Sequence, residues 1–348
     1  MSTSSRLKSA RLMRAFSLKD LAALTSGEIS LPTLSRYERG EAEPDTTVLR
    51  LLARALELPY SYFTRPAKTV DKVEFRKRSK LGKKVERQIL EQTRDFLERY
   101  AEAEHLLSVE EGSFPIYGKL VSTFQEAEDA AAALRSRWRL GDNPIHSIVE
   151  EMEAEGLRIM AVHSDESFDG LSSTPESKED FIVYNINKSI DRQRFTLLHE
   201  LGHHYFKVGG DLDPEKLVNR FAGAFAVPEI VMKERIGSSR KQLHPVELIG
   251  MKRDFGLSIA ALLYRAKDLG IITEYTHRNA MITISQIGWR KEEPNSFVGE
   301  ERPTRLLELL GRGIAEECIS QSKAAELYGM KLGDFRDVLL GADYFKKE

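Results

Sequence analysis

Two histidines four positions apart, His199 and His203, bracket a glutamate in the run His199-Glu200-Leu201-Gly202-His203. On an α-helix, residues four apart differ by only about 40° around the axis, so both imidazoles point to one place. Two neutral imidazoles in that arrangement bind Zn²⁺, and the intervening acid, Glu200, stands where it can reach a water beside the metal. The chemistry this spacing could serve is metal-assisted hydrolysis, with Glu200 in reach of the attacking water.

Zinc in a catalytic site takes three protein ligands and leaves a fourth place for water. His204 adjoins the pair but projects about 100° away from His203. Asp211 and Asp213 fall in a Gly-rich loop. Glu215 opens the following helix and is the preferred third ligand, against the plainer reading of an acid at a helix start. Asn219, one turn after Glu215, is placed to orient either Glu215 or a histidine. A donor for the transition state is also expected, and Tyr264, Arg265, Tyr184 and His244 are candidates without a ranking.

These residues must be carried by regular elements. The pattern from Ile190 to Phe206 is helical, with Leu197, Leu198, Leu201 and Phe206 on its buried faces. Two apolar runs before it, Leu157–Val162 and Phe181–Tyr184, read as strands separated by a Gly/Ser-rich loop. An extended substrate is expected to add to a sheet edge near Phe181–Tyr184.

The whole-chain charge conceals a division. Lys and Arg number 52 against 54 Asp and Glu, a net of −2 that by itself argues against a nucleic-acid binder. Residues 1–80 hold 16 basic and 9 acidic side chains, a net of +7, which leaves −9 for the remainder. The densest basic run, Lys68 to Arg87, includes Arg76, Lys77, Arg78, Lys83 and Lys84 and reads as a solvated linker or a phosphate-contacting stretch. A single cysteine, Cys318, excludes an intrachain disulfide and a Cys-rich zinc site. No apolar stretch is long enough to span a bilayer, and the first residues lack the apolar core of a secretory leader, so a cytoplasmic protein with no membrane partner is expected.

The basic front coincides with several short helices. Ser17 and Asp20 form a helix-start pair. Ser30, Pro32 and Gly40 mark the cap, first turn and stop of the next helix, and Asp45 or Thr46 caps another that ends before Pro59. A short helix meeting a second across a turn is helix-turn-helix logic. The segments Ser17–Ala22, Ser30–Gly40 and Pro44–Leu58, above all Leu34-Ser-Arg-Tyr-Glu-Arg-Gly40, resemble the repressor-type (XRE, lambda-repressor-like) family. The resemblance implies that the helix opening near Ser30 enters the major groove of a double-stranded operator. Leu31, Thr33 and Arg36 would then face DNA, Lys19 would lie near a phosphate, and Leu34 would pack inward. Leu31 and Pro32 are not the Gln or Asn that pair with adenine, so base readout is either weak or rests on Arg36, the basic run and DNA shape.

Arg194-Phe-Thr-Leu-Leu-His-Glu-Leu-Gly-His203, followed by Asn219-Arg-Phe-Ala and Pro228, is similar to the ImmA/IrrE (M78) metallopeptidase family. The runs Val73–Leu81, Gly256–Gly270 and Gly288-Trp-Arg-Lys resemble members that carry a repressor-type front. That likeness implies a gluzincin-like zinc fold, Glu200 as the general base of peptide-bond hydrolysis, and cleavage of a DNA-binding repressor in response to stress or mobile-element signals. A long helix from Glu86 to Leu107 bears an apolar stripe of a width that packs on its own protein, and a homodimer helix is the sharper reading.

The expected fold is α+β and multidomain. An all-α helix-turn-helix domain (residues 1–66) leads into a basic linker and long helix (67–112), then a gluzincin-like peptidase domain (113–290) and a helical C-terminal extension (291–348) beginning with a linker at Pro294–Pro303. The expected function is a DNA-binding transcriptional regulator with a zinc endopeptidase acting on a repressor or other regulatory protein. Its alternative is a transcription factor or antitoxin whose zinc domain senses or stabilises with little proteolysis.

Overall fold

The computed structural model describes residues 2–65, 81–109, 114–174, 177, 179–290, 292–294 and 297–341. Most of the Lys68–Arg87 basic run, including Arg76, Lys77 and Arg78, lies outside them, as does all but Leu81 of the Val73–Leu81 run. The chain separates into two compact units, one of the described residues up to Val109 together with those from Thr304 onward, the other of those between 114 and 303. The fold is α+β and multidomain: among the described residues the first unit is all helical and the second combines helices with strands.

The first unit begins with α1 (Thr3–Met13), α2 (Leu18–Leu24), α3 (Leu31–Arg39), α4 (Thr46–Ala55) and the single turn α5 (Ser61–Thr64). The expected start signals operate: Ser17 and Asp20 form a reciprocal capping box, and Ser30 and Asp45 accept from Thr33 and Val48 backbone N–H groups. Gly40 ends α3 in the left-handed region, at φ 72°. The core gathers Leu7, Met13, Leu21, Leu34, Leu52, Leu56 and Phe63. Arg11 on α1 forks onto Glu38 of α3 at 2.6 and 2.8 Å, fixing α3 against α1.

The long helix α6 (Lys83–Leu106) buries Ile89, Phe96, Leu97, Tyr100 and Ala103 within this unit. Beside that stripe runs an acidic row. Glu98 receives Arg6 at 3.1 Å and Arg65 at 3.3 Å, and Asp95 receives Arg65 and Arg99 at 2.8 Å each. The last helices, α15 (Arg305–Ala315), α16 (Gln321–Tyr328) and α17 (Leu332–Leu339), join the same unit. Arg99 donates to the Leu327 carbonyl at 2.7 Å, and Lys323 meets Glu102 at 2.7 Å.

Among its described residues the second unit holds five strands: β1 (Tyr117–Val121), β2 (Arg158–Val162), β3 (Gly170–Ser172), β4 (Phe181–Asn185) and β5 (Phe206–Val208). They form a parallel pair, β1 with β5, and a three-stranded sheet in the order β2-β4-β3. β2 runs parallel to β4, while β3 is antiparallel to it with Leu171 opposite Val183. Phe181–Tyr184 is therefore the central strand, and the expectation of a free edge there is corrected: both of its sides are paired. Its five residues are all buried, as a strand covered on both faces must be.

Its described residues also form α7 (Phe124–Arg137), α8 (Ile148–Ala154), α9 (Ile190–Tyr205), α10 (Pro214–Ala226), α11 (Glu229–Ile236), α12 (Pro245–Phe255), α13 (Ile259–Asp268) and α14 (Glu274–Gln286). The core runs through Leu134, Met152, Leu197, Leu198, Leu201, Phe221, Phe225 and Leu262. The reading of Pro294–Pro303 as a linker is also corrected. Glu301 is only 2 % exposed, accepts from Ile148 and Val149 at the start of α8 at 3.1 and 2.9 Å, and pairs with buried Arg194 of α9. An acid at a helix N-terminus is electrostatically favoured, which explains why a charged segment docks inside.

Candidate metal centre and DNA-reading face

α9 carries His199, Glu200 and His203 on one side, and α10 supplies Glu215 and Asn219. The two helices approach closely because Gly202 lies at their contact. A Cβ there would stand 2.9 Å from Phe221 Cδ1 and 3.0 Å from Val218 Cγ1, so any larger residue would push α10 away from the histidines. This glycine was not singled out from sequence, although its place inside the histidine motif is the signal that could have found it.

His199 Nε2 and His203 Nε2 are 3.0 Å apart. Glu215 closes the triangle, with oxygens 3.3 Å from each of those nitrogens. A tetrahedral zinc with bonds of about 2.0–2.1 Å separates its ligand atoms by about 3.3 Å. The three side chains thus fit such an ion in both chemistry and spacing. Among the described residues they are the group of His, Cys, Asp and Glu found able to hold a metal.

The tautomer is set from behind. His199 Nδ1 lies 2.9 Å from Asn219 Oδ1, an acceptor, so Nδ1 carries the proton and Nε2 turns its lone pair inward. Of the two roles open to Asn219, the histidine partner is the one adopted. Contact with both imidazoles holds the Glu215 carboxyl far below the usual carboxylate range, while burial lowers the His203 pKa. Carboxylate and neutral imidazole are the forms a metal requires. Asn219→Ala should weaken metal affinity about 10- to 100-fold, as loss of a ligand's outer partner does. Zinc titration against a competing chelator would measure it, and unchanged affinity would make Asn219 merely structural.

Glu200 is 3 % exposed and His199 6 %, whereas Glu215 is 46 % exposed at the side chain, so the site opens along α10. Ser172 of β3 donates to Glu200 Oε2 at 3.2 Å, a partner the sequence did not suggest. His204 points away from the centre and is fully buried, 3.1 Å from Asp180. Asp213 caps α10 by accepting from the Glu215 N–H at 3.0 Å, and Asp211 is outside the cluster.

The four candidate transition-state donors have other partners. Tyr184 donates to the Glu301 carbonyl, and burial pushes its phenol pKa far up. Arg265 donates to the Val227 carbonyl at 3.0 Å and pairs with Glu128. His244 caps α12, and Tyr264, half exposed, packs on His277 with ring centres 4.4 Å apart.

On the first unit, Lys19, Leu31 and Arg36 are exposed, Leu31 at 44 %. Thr33 is half-buried, with its hydroxyl 2.8 Å from that of Ser30, and Leu34 is fully buried. The outer side of α3 therefore presents Leu31 and Arg36, with Lys19 on the supporting helix α2.

Comparison with known families agrees with this division. Residues 7–63 match the helix-turn-helix family, and residues 152–267 match the IrrE N-terminal-like domain of the M78 peptidases. The chain joins a repressor-type helix-turn-helix domain to an ImmA/IrrE-type metallopeptidase domain. No curated protein matches it. No helix among the described residues is long and apolar enough to cross a membrane.

Proposed function

We propose that the protein is a DNA-binding transcriptional regulator whose second unit is a zinc endopeptidase acting on a repressor or other regulatory protein. The observation carrying the enzymatic half is the convergence of His199, His203 and Glu215 at 3.0 to 3.3 Å beside buried Glu200. A zinc ion held there would supply Lewis acidity, polarising a peptide carbonyl and acidifying water. Glu200 takes a proton from the attacking water and returns it to the leaving amine. His199, His203 and Glu215 would hold the ion, with Asn219 fixing the orientation of the first. The short outer strand β3, beside Glu200, is the edge an extended peptide would extend.

The DNA-binding half rests on the helix-turn-helix match and on the outward placement of Lys19, Leu31 and Arg36, with Thr33 in the first turn of α3. Arg36→Ala is expected to weaken binding to duplexes selected from a random pool by about 1–3 kcal/mol, with relaxed preference at one base position. Equal affinity for all selected duplexes would return Arg36 to a solvated helix face.

The full reading is tested by incubating zinc-loaded protein with the regulators of its host and finding which is cut. A regulator cut by the native chain and spared by Glu200→Gln supports it. Regulation in cells that survives Glu200→Gln, with zinc still bound, would instead favour a zinc domain that senses or stabilises.

A further inference from the structure

Ser172 is 3 % exposed on β3, and its hydroxyl donates to Glu200 Oε2 at 3.2 Å. That position is fixed from two sides. Backbone pairing sets Ser172 opposite Ile182 of β4, and the next residue, Ser173, bonds Phe181 both ways, its N–H donating to the carbonyl at 3.0 Å and its hydroxyl oxygen accepting from the Phe181 N–H at 3.0 Å. At the other end of the strand, Gly170 lets β3 close on α9. A Cβ there would come 2.6 Å from Thr196 Cγ2 and 3.2 Å from Glu200 Cγ. The strand is thus pressed against the stem of Glu200 at one residue and bonded to its carboxylate two residues later.

A carboxylate on a glutamate side chain turns about a soft, roughly two-fold terminal torsion. General-base catalysis needs one oxygen aimed at the proton it removes. A hydroxyl anchored to a paired strand and donating to the other oxygen removes that rotational freedom. We propose that Ser172 is a positioning residue for Glu200, holding Oε2 so that the second oxygen serves the proton transfers. This rests on the peptidase reading above. It assigns β3 a role in the reaction itself, in addition to presenting its backbone edge.

The plain alternative is a core hydroxyl that has merely found an acceptor; of two measurements on the full chain, the first separates the two readings and the second tests the Ser172–Glu200 bond on which the proposal stands. The first uses zinc-loaded protein and quenched fluorescent casein as the peptide-bond probe. Ser172→Ala should lower kcat about 10- to 100-fold with KM within about twofold and zinc content unchanged, and Ser172→Thr, which keeps the hydroxyl, should recover most of the rate. The second uses metal-free protein and thermal unfolding. Ser172→Ala should lower Tm by a few degrees in the native background and by markedly less in Glu200→Ala, because the acceptor is already gone. Equal Tm losses in the two backgrounds, or equal kcat losses for Ser172→Ala and Ser172→Thr, would overturn the proposal. If the native chain cuts neither casein nor any regulator of its host, the peptidase reading fails, while the unfolding cycle still decides whether Ser172 and Glu200 act as a pair.

Discussion

Glu200→Gln is expected to leave zinc in place and to lower kcat by about 10²–10⁴, the range general acid–base groups contribute. The amide is nearly isosteric and keeps an acceptor oxygen for the Ser172 hydroxyl, so the fold and its 3.2 Å contact should survive. What is lost is the proton acceptor. None of the three clustered ligands is touched, since His199, His203 and Glu215 meet one another without Glu200. A variant with full zinc stoichiometry, an unchanged Tm and residual cleavage below about 1 % of native would meet the expectation. A variant as active as the native chain would remove Glu200 from the chemistry. His199→Ala makes the complementary control, because it should lose metal and activity together.

The parts of this site that were legible in the sequence are those set by local geometry. A helix fixes the angle between residues four apart, so the facing of His199 and His203 follows from their numbers alone. The caps at Ser17, Ser30 and Asp45 are equally local. Glu215 was reachable because it opens the next helix, but its distance from the histidines depends on how α10 packs on α9. That packing turns on Gly202, whose missing side chain has no periodic signature. Ser172 was invisible for a related reason: β3 is three residues long, too short to show alternation, and its place beside Glu200 comes from pairing with β4. The error about the sheet edge has the same origin. A buried apolar run announces a strand without saying how many neighbours it has. Charge also misled around Pro294–Pro303, where polar composition suggested a solvated linker, because the partner that makes Glu301 an interior residue is Arg194, more than a hundred positions earlier.

Glu301→Ala should therefore be among the most destabilising single changes in the second unit, at about 3–5 kcal/mol, the cost of leaving a buried charge without its partner. Arg194 is 1 % exposed, and besides Glu301 it donates, among the described residues, to the backbone carbonyls of His146, Ile145 and Phe255 at 3.1, 2.7 and 3.3 Å, under the ring of Phe297. None of these neutralises the guanidinium. The same substitution strips acceptors from the Ile148 and Val149 N–H groups that open α8. Urea unfolding followed by tryptophan fluorescence reports this unit selectively, because both tryptophans, Trp138 and Trp289, lie in it. A double variant, Arg194→Leu with Glu301→Leu, distinguishes a simple ion pair from a network. For a simple pair, apolar replacement of both partners often costs little. Here it should remain costly, since the three carbonyls and two N–H groups would lose their partners in the interior. A double variant as stable as the native chain would show that the backbone groups around the start of α8 do not depend on Arg194 and Glu301 for their stability.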